Sequence, residues 1–257
     1  MIKVENLCWN AGGKAIVNNV SFSVKRGEFL GLVGPNGCGK TSTMALLAGL
    51  NLPHRGNVYL KGQPLKSYNR RQIACHIGFV EQHADTSDNI TVRQAVELGR
   101  TPHLSAFSPF AQPDEAVVNN ALSKVNMTAL ADRAWNTLSG GEKQRIHFAR
   151  ALAQEPSIML LDEPTNHLDI QHQLHLLDLV RQQNLTVVAA LHDLNHAAQF
   201  CDRIMMMKQG QLVAIGSPKD VLTTQRIADV FHVCAQVNED EDGGLHIRFR
   251  PHKLDTH

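Results

Sequence analysis

Eight residues near the start of the chain have the types and the spacing that bind phosphate groups. They are Gly34-Pro35-Asn36-Gly37-Cys38-Gly39-Lys40-Thr41, between an apolar run at 29–33 and an apolar helical stretch at 42–49. Glycines in this spacing turn backbone N–H groups toward a phosphate, and the helix start adds its positive dipole end. Lys40 would contact the β- and γ-phosphates, and the Thr41 hydroxyl would bind Mg²⁺. The segment therefore predicts a nucleotide-phosphate site rather than an ordinary strand-to-helix turn.

Two adjacent acids form a second candidate site. Asp162 and Glu163 directly follow the apolar run 158–161. Asp162 is suited to hold Mg²⁺ opposite Thr41, because a hard cation that bridges phosphate oxygens takes few protein oxygens. Glu163 could orient and polarise an attacking water. Phosphoryl transfer depends mainly on positioning and charge stabilisation, so this pair predicts hydrolysis of the bound nucleotide.

A serine and two glycines form a third candidate site, at the start of an amphipathic helix. The sequence is Leu138-Ser139-Gly140-Gly141-Glu142-Lys143-Gln144. Such a helix start is a second anion site. Because one nucleotide does not need two phosphate sites in the same chain, we interpret this helix as a cap for the γ-phosphate bound by a second copy.

The elements that must position these residues alternate between strand and helix. Period-2 alternation at 2–7 and 16–24 predicts antiparallel strands, and helical spacing dominates from about 84 to 153. Buried strands that alternate with helices imply a mostly parallel sheet. The predicted fold class is α/β, a P-loop NTPase core with a mostly parallel sheet, an N-terminal antiparallel β subdomain and an inserted helical subdomain. Further predicted strands lie at 29–33, 58–60, 77–80, 158–161, 186–190, 204–207 and 212–215, a helix at 218–231 and an acidic loop at 238–244.

Composition excludes several classes of protein. The chain has 257 residues and a formal net charge of +1, and its basic residues are scattered, which argues against a nucleic-acid stripe or a polybasic membrane anchor. Its five cysteines include no C-x-x-C pair, which favours free thiols in a reducing compartment. We expect neither a signal peptide nor a membrane-spanning run, so any membrane connection would come through a partner.

The motifs, in this order, resemble those of the nucleotide-binding subunit of an ATP-binding-cassette (ABC) transporter, over about the first 230 residues. The resemblance implies a 1–235 ABC ATPase domain, with a helical insertion at about 84–153, and a short C-terminal appendage at 236–257. The matching motifs are the phosphate loop, a Q-loop glutamine at Gln82, the signature at 138–144, the acidic pair Asp162 and Glu163, a D-loop at 166–169 and a switch histidine at His192.

The resemblance also implies roles for individual residues, with ATP and Mg²⁺ as cofactors. The implied catalytic residues are Glu163, His192 and Gln82, and the implied metal ligands are Thr41, Gln82 and Asp162. Asp169 is implied to contact the partner subunit, although a helix N-cap role is also open. The implied nucleotide-binding residues are Gly34, Pro35, Asn36, Gly37, Cys38, Gly39, Lys40, Thr41, Ser42, Ser139, Gly140, Gly141 and Asp169.

The first hairpin departs from the family pattern. Family members usually place an aromatic ring there to stack on adenine, whereas alignment of Gly12-Gly13 with the usual glycines puts Ala11 at that position. Trp9 lies two residues earlier, and it either replaces the ring by a register shift or faces the core. Base selectivity is therefore expected to be loose.

Two segments, 91–103 and 191–197, are similar to importers of the iron-siderophore, haem and cobalamin type. This implies an ATPase that energises such an importer, at the cytoplasmic face of a bacterial inner membrane. Its implied partners are a second copy, integral permease subunits docked near Gln82 and 84–100, and indirectly a substrate-binding protein, with no nucleic acid. The alternative is a soluble ABC ATPase of iron-sulfur cofactor assembly, which would not co-purify with a membrane protein.

Overall fold

The computed structural model describes residues 1–81, 90–105, 109–166, 168–241 and 243–250. They fall into two compact units. Unit 1 comprises residues 1–65 together with the chain from Val188 onward, and unit 2 comprises Lys66–Val187. Within the described residues, no helix has the length and apolarity needed to cross a bilayer.

The strands and helices follow in chain order. The strands are β1 (Ile2–Ala11), β2 (Lys14–Val24), β3 (Phe29–Val33), β4 (Arg55–Leu60), β5 (Gln63–Pro64), β6 (Ile77–Val80), β7 (Ile158–Asp162), β8 (Thr186–Ala190), β9 (Arg203–Lys208), β10 (Gln211–Gly216), β11 (Cys234–Glu239) and β12 (Leu245–Arg250). The helices are α1 (Lys40–Leu47), α2 (Arg70–Ala74), α3 (Val92–Glu97), α4 (Gln112–Lys124), α5 (Gly140–Ala153), α6 (Ile170–Gln182), α7 (Leu194–Phe200), α8 (Pro218–Val221) and α9 (Thr224–Phe231).

Unit 1 contains an antiparallel sheet of strand order β2-β1-β4-β5. Ile2, Val4 and Leu7 are buried along β1, and the step of three between the last two is accommodated by a register shift at Asn6, whose φ is 48°. The shift keeps the apolar side chains of β1 on the core face beyond the irregularity. The predicted N-terminal antiparallel subdomain is confirmed, and β1 continues beyond residue 7 to Ala11.

Unit 1 also contains the strand that leads into the phosphate loop. Strand β3 is buried along its whole length and pairs in parallel with β9, which in turn pairs antiparallel with β10. The backbone N–H of Leu191 donates to the carbonyl of Leu32 at 3.0 Å, which places the residue after β8 against β3. Burial on both faces explains why β3 reads as a continuous apolar run rather than as an alternating one.

Unit 2 contains the parallel pair β6 and β7 together with helices α3, α4 and α5. Helix α5 buries the predicted apolar face, including Ile146, Phe148 and Leu152. Arg100, 7% exposed, joins these helices: its guanidinium donates to Asp114 at 2.9 Å and to Glu155 at 2.7 Å. The predicted α/β class with an inserted helical subdomain is confirmed, while the predicted start of the insertion, near 84, lies outside the described residues.

The C-terminal region differs from the sequence prediction in two places. The segment predicted to be helical at 218–231 is helical but forms two helices, because α8 ends at Val221 and α9 begins after Thr223, whose hydroxyl accepts from the N–H of Arg226. Serine and threonine favour this capping position, so Thr223 starts a new helix. Beyond it, β11 and β12 form an antiparallel hairpin that was not predicted, and the first two residues of the predicted acidic loop, Asn238 and Glu239, belong to β11.

Candidate active site

The phosphate loop of unit 1 lies between β3 and α1, and two of its glycines are required by close backbone packing. A Cβ at Gly34 would lie 2.4 Å from the carbonyl oxygen of Met207. A Cβ at Gly39, where φ is 102°, would lie 2.5 Å from the carbonyl oxygen of Ile16. Any side chain at these two positions would therefore displace the loop or its neighbours.

Hydrogen bonds from the neighbouring turn fix the loop further. The N–H of Gly210 donates to the Cys38 carbonyl at 3.0 Å, and the N–H of Asn18 donates to the Gly210 carbonyl at 2.8 Å. The turn between β9 and β10 thus links the loop to β2. Such bracing holds the loop in shape before a ligand arrives, which lowers the entropic cost of binding.

Lys40 lies inside the loop and is only 4% exposed. Its Nζ donates to the carbonyl oxygens of Gly34 at 2.9 Å and Pro35 at 3.4 Å. Both partners are neutral, so they do not cancel the buried ammonium charge, and an anion in the loop would be strongly favoured. Thr41 is exposed and Ser42 half-buried in the first helical turn, where a bound phosphate and its metal ion would be reached.

Cys38 has a packing role in the loop. Its side chain is 3% exposed, and its Sγ occupies the space that a Cβ at Gly34 would enter, 2.6 Å away. Burial raises the pKa of the Cys38 thiol above its ordinary value, although Lys40 opposes the shift. A neutral, buried thiol is a poor nucleophile, in agreement with Cys38 as a small packing residue.

The acidic pair lies at the end of β7 in unit 2. All five residues of β7 are buried, and Asp162 is 2% exposed. Glu163 follows in the left-handed region at φ 51°, and its Oε2 accepts a hydrogen bond from Asn166 Nδ2 at 2.6 Å. A glutamate in this region is strained, and such strain is concentrated at functional sites. The Asn166 contact, which holds the Glu163 carboxylate, was not predicted.

The signature residues cap α5 in unit 2. Ser139 Oγ accepts from the N–H of Glu142 at 3.3 Å, and the Glu142 carboxylate accepts from the N–H of Ser139 at 2.7 Å. The N–H of Ser139 is the main cause that lowers the pKa of Glu142. Ser139 and Gly140 are exposed, and no atom of the described residues lies within 4 Å of a Cβ built at Gly140. The hydroxyl proton of Ser139 can still be donated to an anion.

Asp169 and the signature are connected within unit 2 by a residue that the motif analysis did not assign. Asp169 N-caps α6 by accepting from the N–H of His172 at 2.9 Å, and the same carboxylate oxygen contacts His172 Nδ1 at 2.7 Å. The His172 ring lies against Gly141, 3.2 Å from the position of a built Cβ. The N-cap role is confirmed, while contact with a partner subunit stays a prediction. The only sequence signal for this contact is the three-residue spacing between Asp169, the last residue of the D-loop, and His172.

His192 lies in unit 1 between β8 and α7 and is exposed. The next residue, Asp193, N-caps α7 by accepting from the N–H groups of Asn195 at 2.7 Å and His196 at 3.2 Å. The cap fixes the backbone on the C-terminal side of His192. A histidine held at a strand end in this way can present its ring to a ligand.

The described residues bear only in part on possible metal sites. Gln82 lies outside the described residues, so its predicted catalytic and metal roles stay predictions. His192 is exposed whereas His196 is buried, and in the described part of the chain no cluster of three or more histidine, cysteine or acidic side chains could hold a metal ion.

The predicted site residues are thus divided between the two units. Unit 1 contains the phosphate loop with Lys40 and holds His192 on a capped turn, and unit 2 contains Asp162, Glu163, the signature glycines and Asp169. Unit 1 thus contains the residues predicted to bind phosphate. Unit 2 contains the carboxylates and the second helix start that is predicted to bind an anion.

Comparison with known proteins identifies this arrangement of motifs. The family profile described as "ABC transporter" matches residues 17–166, more than half of the chain. The chain is 37% identical over 247 residues to the ferric enterobactin transport ATP-binding protein FepC of Escherichia coli (strain K12), covering 95% of this chain and 91% of that relative. It is 38% identical over 244 residues to the hemin import ATP-binding protein HmuV of Photobacterium damsela subsp. piscicida, covering 92% and 91%.

A solved structure is similar over nearly the full length. It is described as an ABC transporter of the metal-chelate type in an inward-facing conformation, and it covers 98% of this chain and 98% of that chain. The TM-score is 0.85 at 29% sequence identity. The likeness therefore includes the C-terminal residues as well as the profile-matched segment.

Proposed function

The chain belongs to the ABC transporter family, and from that premise we propose that it is the ATP-hydrolysing subunit of a membrane importer for an iron-siderophore, haem or a related metal chelate. The observation that carries the proposal is the enclosed phosphate loop around Lys40. A loop closed by backbone contacts, with a buried ammonium group held by neutral carbonyls, fits a polyphosphate better than any other common ligand.

The unit 1 residues would hold the nucleotide. The N–H groups of the loop and of the first α1 turn would surround the phosphates, and Lys40 would neutralise charge on them. Thr41 and Asp162 are the proposed protein ligands of Mg²⁺, with Gln82 as a further proposed ligand. Held by these residues, Mg²⁺ would supply positive charge that offsets the negative charge of the phosphates.

The unit 2 acids would promote hydrolysis. Glu163, oriented by Asn166, would accept a hydrogen bond from the attacking water and direct its lone pair at phosphorus. His192 would donate to a phosphate oxygen as negative charge develops. Each group acts by position and charge, which is the main protein contribution to phosphoryl transfer.

A second copy of the chain would complete the site. The helix start formed by Ser139, Gly140 and Gly141 is open to solvent. The Glu142 carboxylate, which caps this helix start, already accepts a hydrogen bond from the N–H of Ser139. Donors that remain open to solvent at such a helix start are suited to the γ-phosphate of a nucleotide bound by another copy. This supports a two-fold dimer with two ATP molecules at its interface.

The names of the relatives support the proposal that this ATPase drives an importer. One relative is named for ferric enterobactin transport and another for hemin import, and both are named as ATP-binding proteins. We infer permease subunits as direct partners, a substrate-binding protein as an indirect one, and a peripheral location at the cytoplasmic face of a bacterial inner membrane. The cofactor-assembly alternative is not favoured, because these relatives are transport proteins.

Expression of the chain with its genomic neighbours would test the proposal. We expect an integral membrane protein to co-purify, and we expect cells to take up a ferric chelate in a manner that Glu163→Gln abolishes. The exposed variant Glu115→Gln is the matched control and should leave uptake unchanged. ATP hydrolysis without any membrane partner or uptake would contradict the importer function while leaving the ATPase activity standing.

A further inference from the structure

The C-terminal hairpin is bound to the helix that follows His192 by one asparagine side chain. Asn195 Oδ1 accepts from the N–H of Ile247 at 2.7 Å, and Asn195 Nδ2 donates to the carbonyl of Ile247 at 3.2 Å. The side-chain amide thus bonds to both backbone groups of one residue of β12, as a neighbouring strand would. All of these residues belong to unit 1.

The same asparagine is bound to the cap beside His192. Its backbone N–H donates to Asp193 Oδ1 at 2.7 Å. Asn195 is therefore linked through its backbone to the residue next to His192, and through its side chain to the hairpin. A shift of the hairpin would be transmitted to the His192 segment across only three residues.

His192 and the C-terminal segment also line a common cavity. A cavity of about 510 Å³ is lined on one side by His192 and Leu194. The residues that line its other side come from the C-terminal segment, and they are Phe231, Val233, Phe249 and Arg250. His192 and the C-terminal segment therefore border the same cavity, so a displacement of that segment would change the surroundings of the histidine.

The hairpin is attached to the rest of unit 1 by two buried side chains and one ion pair. Ile247 is 2% exposed and Ala235 is 5% exposed. Lys219 of α8 forms an ion pair with Glu239 at the end of β11. Most of the hairpin is exposed, and these two buried side chains together with the ion pair attach it to the rest of unit 1.

We propose that Asn195 is a positioning residue for hydrolysis, through which the C-terminal hairpin holds the His192 segment in place. This inference rests on the proposed function, because it assigns a support to the switch histidine of that same reaction. It also assigns the C-terminal hairpin a role in positioning the His192 segment. Nucleotide binding should not depend on Asn195, since the phosphate loop is braced by Ile16, Met207 and Gly210.

The test compares variants of the full-length protein in steady-state ATP hydrolysis and nucleotide binding. We expect Asn195→Ala to lower kcat about threefold to tenfold, because two hydrogen bonds are lost, and to change KM and ATP affinity less than about twofold. Asn195→Asp should also lower kcat, since a carboxylate can accept from Ile247 but cannot donate to its carbonyl. The matched control is Gln236→Ala, which removes a hydrogen bond from Arg250 within the same hairpin and should leave kcat unchanged.

A double mutant separates positioning from a general loss of stability. If Asn195 acts through His192, then Asn195→Ala should have little further effect on the single-turnover rate in a His192→Ala background. Thermal unfolding and ATP binding of each variant show that it is folded. An unchanged kcat in Asn195→Ala, or the same loss of rate in both backgrounds, would overturn the inference. Absence of hydrolysis in the wild-type protein would instead refute the proposed function.

Discussion

The phosphate loop and the signature helix start are both helix N-termini that we propose bind anions, but they are built in opposite ways. In the phosphate loop Lys40 and Cys38 are buried, and a Cβ at Gly34 or Gly39 would collide with backbone oxygens. At the start of α5, by contrast, Gly140 is exposed and has no neighbour within 4 Å of a built Cβ. One site is enclosed within its own unit, and the other is open.

This difference indicates a division of labour. The enclosed loop has its cation and its donors in place, so it should bind nucleotide in a single copy of the chain. The signature start lacks a buried cation and has its first turn capped by Glu142, so it should contribute only when a phosphate is brought to it. Changes in the loop should therefore lower affinity, and changes at the signature or the acidic pair should lower hydrolysis.

The largest effect is expected from Glu163→Gln, which keeps the shape of the side chain but loses the charge that polarises water. We expect kcat to fall about 100-fold to 1,000-fold, as for the loss of other groups that stabilise developing charge. ATP affinity should stay within about twofold, because the phosphate loop is unchanged. Single-turnover hydrolysis and equilibrium binding measure the two quantities, with Glu115→Gln as control, and hydrolysis at the wild-type rate would remove Glu163 from its role.

A smaller effect, on affinity, is expected from Lys40→Ala. The loss of a charge-assisted contact costs about 1.5 to 3 kcal/mol, so nucleotide affinity should fall roughly tenfold or more. The exposed Lys25→Ala variant is the control. Calorimetric titration with a non-hydrolysable ATP analogue would check this, and wild-type affinity in Lys40→Ala would contradict the enclosed-loop description.

The enclosure of the loop also predicts slow chemistry at Cys38. Because its thiol is buried and its pKa is raised, less of it is thiolate than of an exposed cysteine at the same pH. We expect alkylation of Cys38 to be slower than that of the exposed Cys234, because burial of Cys38 both limits access of the reagent and disfavours its thiolate. Peptide mass mapping after timed alkylation at pH 8 gives both rates, and equal rates would show that the loop opens readily.

The smallest effect concerns the base. Ala11 is exposed and Trp9 is half-buried, so neither lies fully in the core. If no ring stacks on the base, GTP should compete with ATP within about tenfold, because a base stack is worth ~1 to 3 kcal/mol where it exists. Poor competition by GTP, with quenched Trp9 fluorescence and lost affinity in Trp9→Ala, would show instead that Trp9 is the stacking platform.

Local patterns explain why much of the site was predictable. The spacing of Gly34, Gly39 and Lys40 predicts the backbone conformation of the loop and the position of its charge, because both depend on neighbouring residues. In the same way, the apolar run before Asp162 predicts the end of a buried strand. The cap at Ser139 was signalled by a serine three residues before a glutamate, which is the pattern of a capping box. In each case a few neighbouring residues contain the physical cause.

The missed features depend on contacts between residues that are distant in sequence. The β11–β12 hairpin has polar residues such as Gln236 and Asn238 on its exposed face, and this hid its alternation beside the acidic loop. Asn195 meets Ile247 across 52 positions. The position of His172 against Gly141 depends on where the start of α6 lies relative to the start of α5, and no local pattern reports that placement.

The most direct test of the account is the oligomeric state of Glu163→Gln with and without ATP and Mg²⁺, measured by light scattering at high protein concentration. The account predicts a monomer without nucleotide and a dimer that retains two ATP molecules. It also predicts that adding Ser139→Arg, which places a bulky cation at the open helix start, abolishes the dimer while each monomer still binds ATP. A protein that binds ATP and stays monomeric throughout, or a dimer that Ser139→Arg leaves intact, would contradict the claim that the signature of one copy completes the nucleotide site of another.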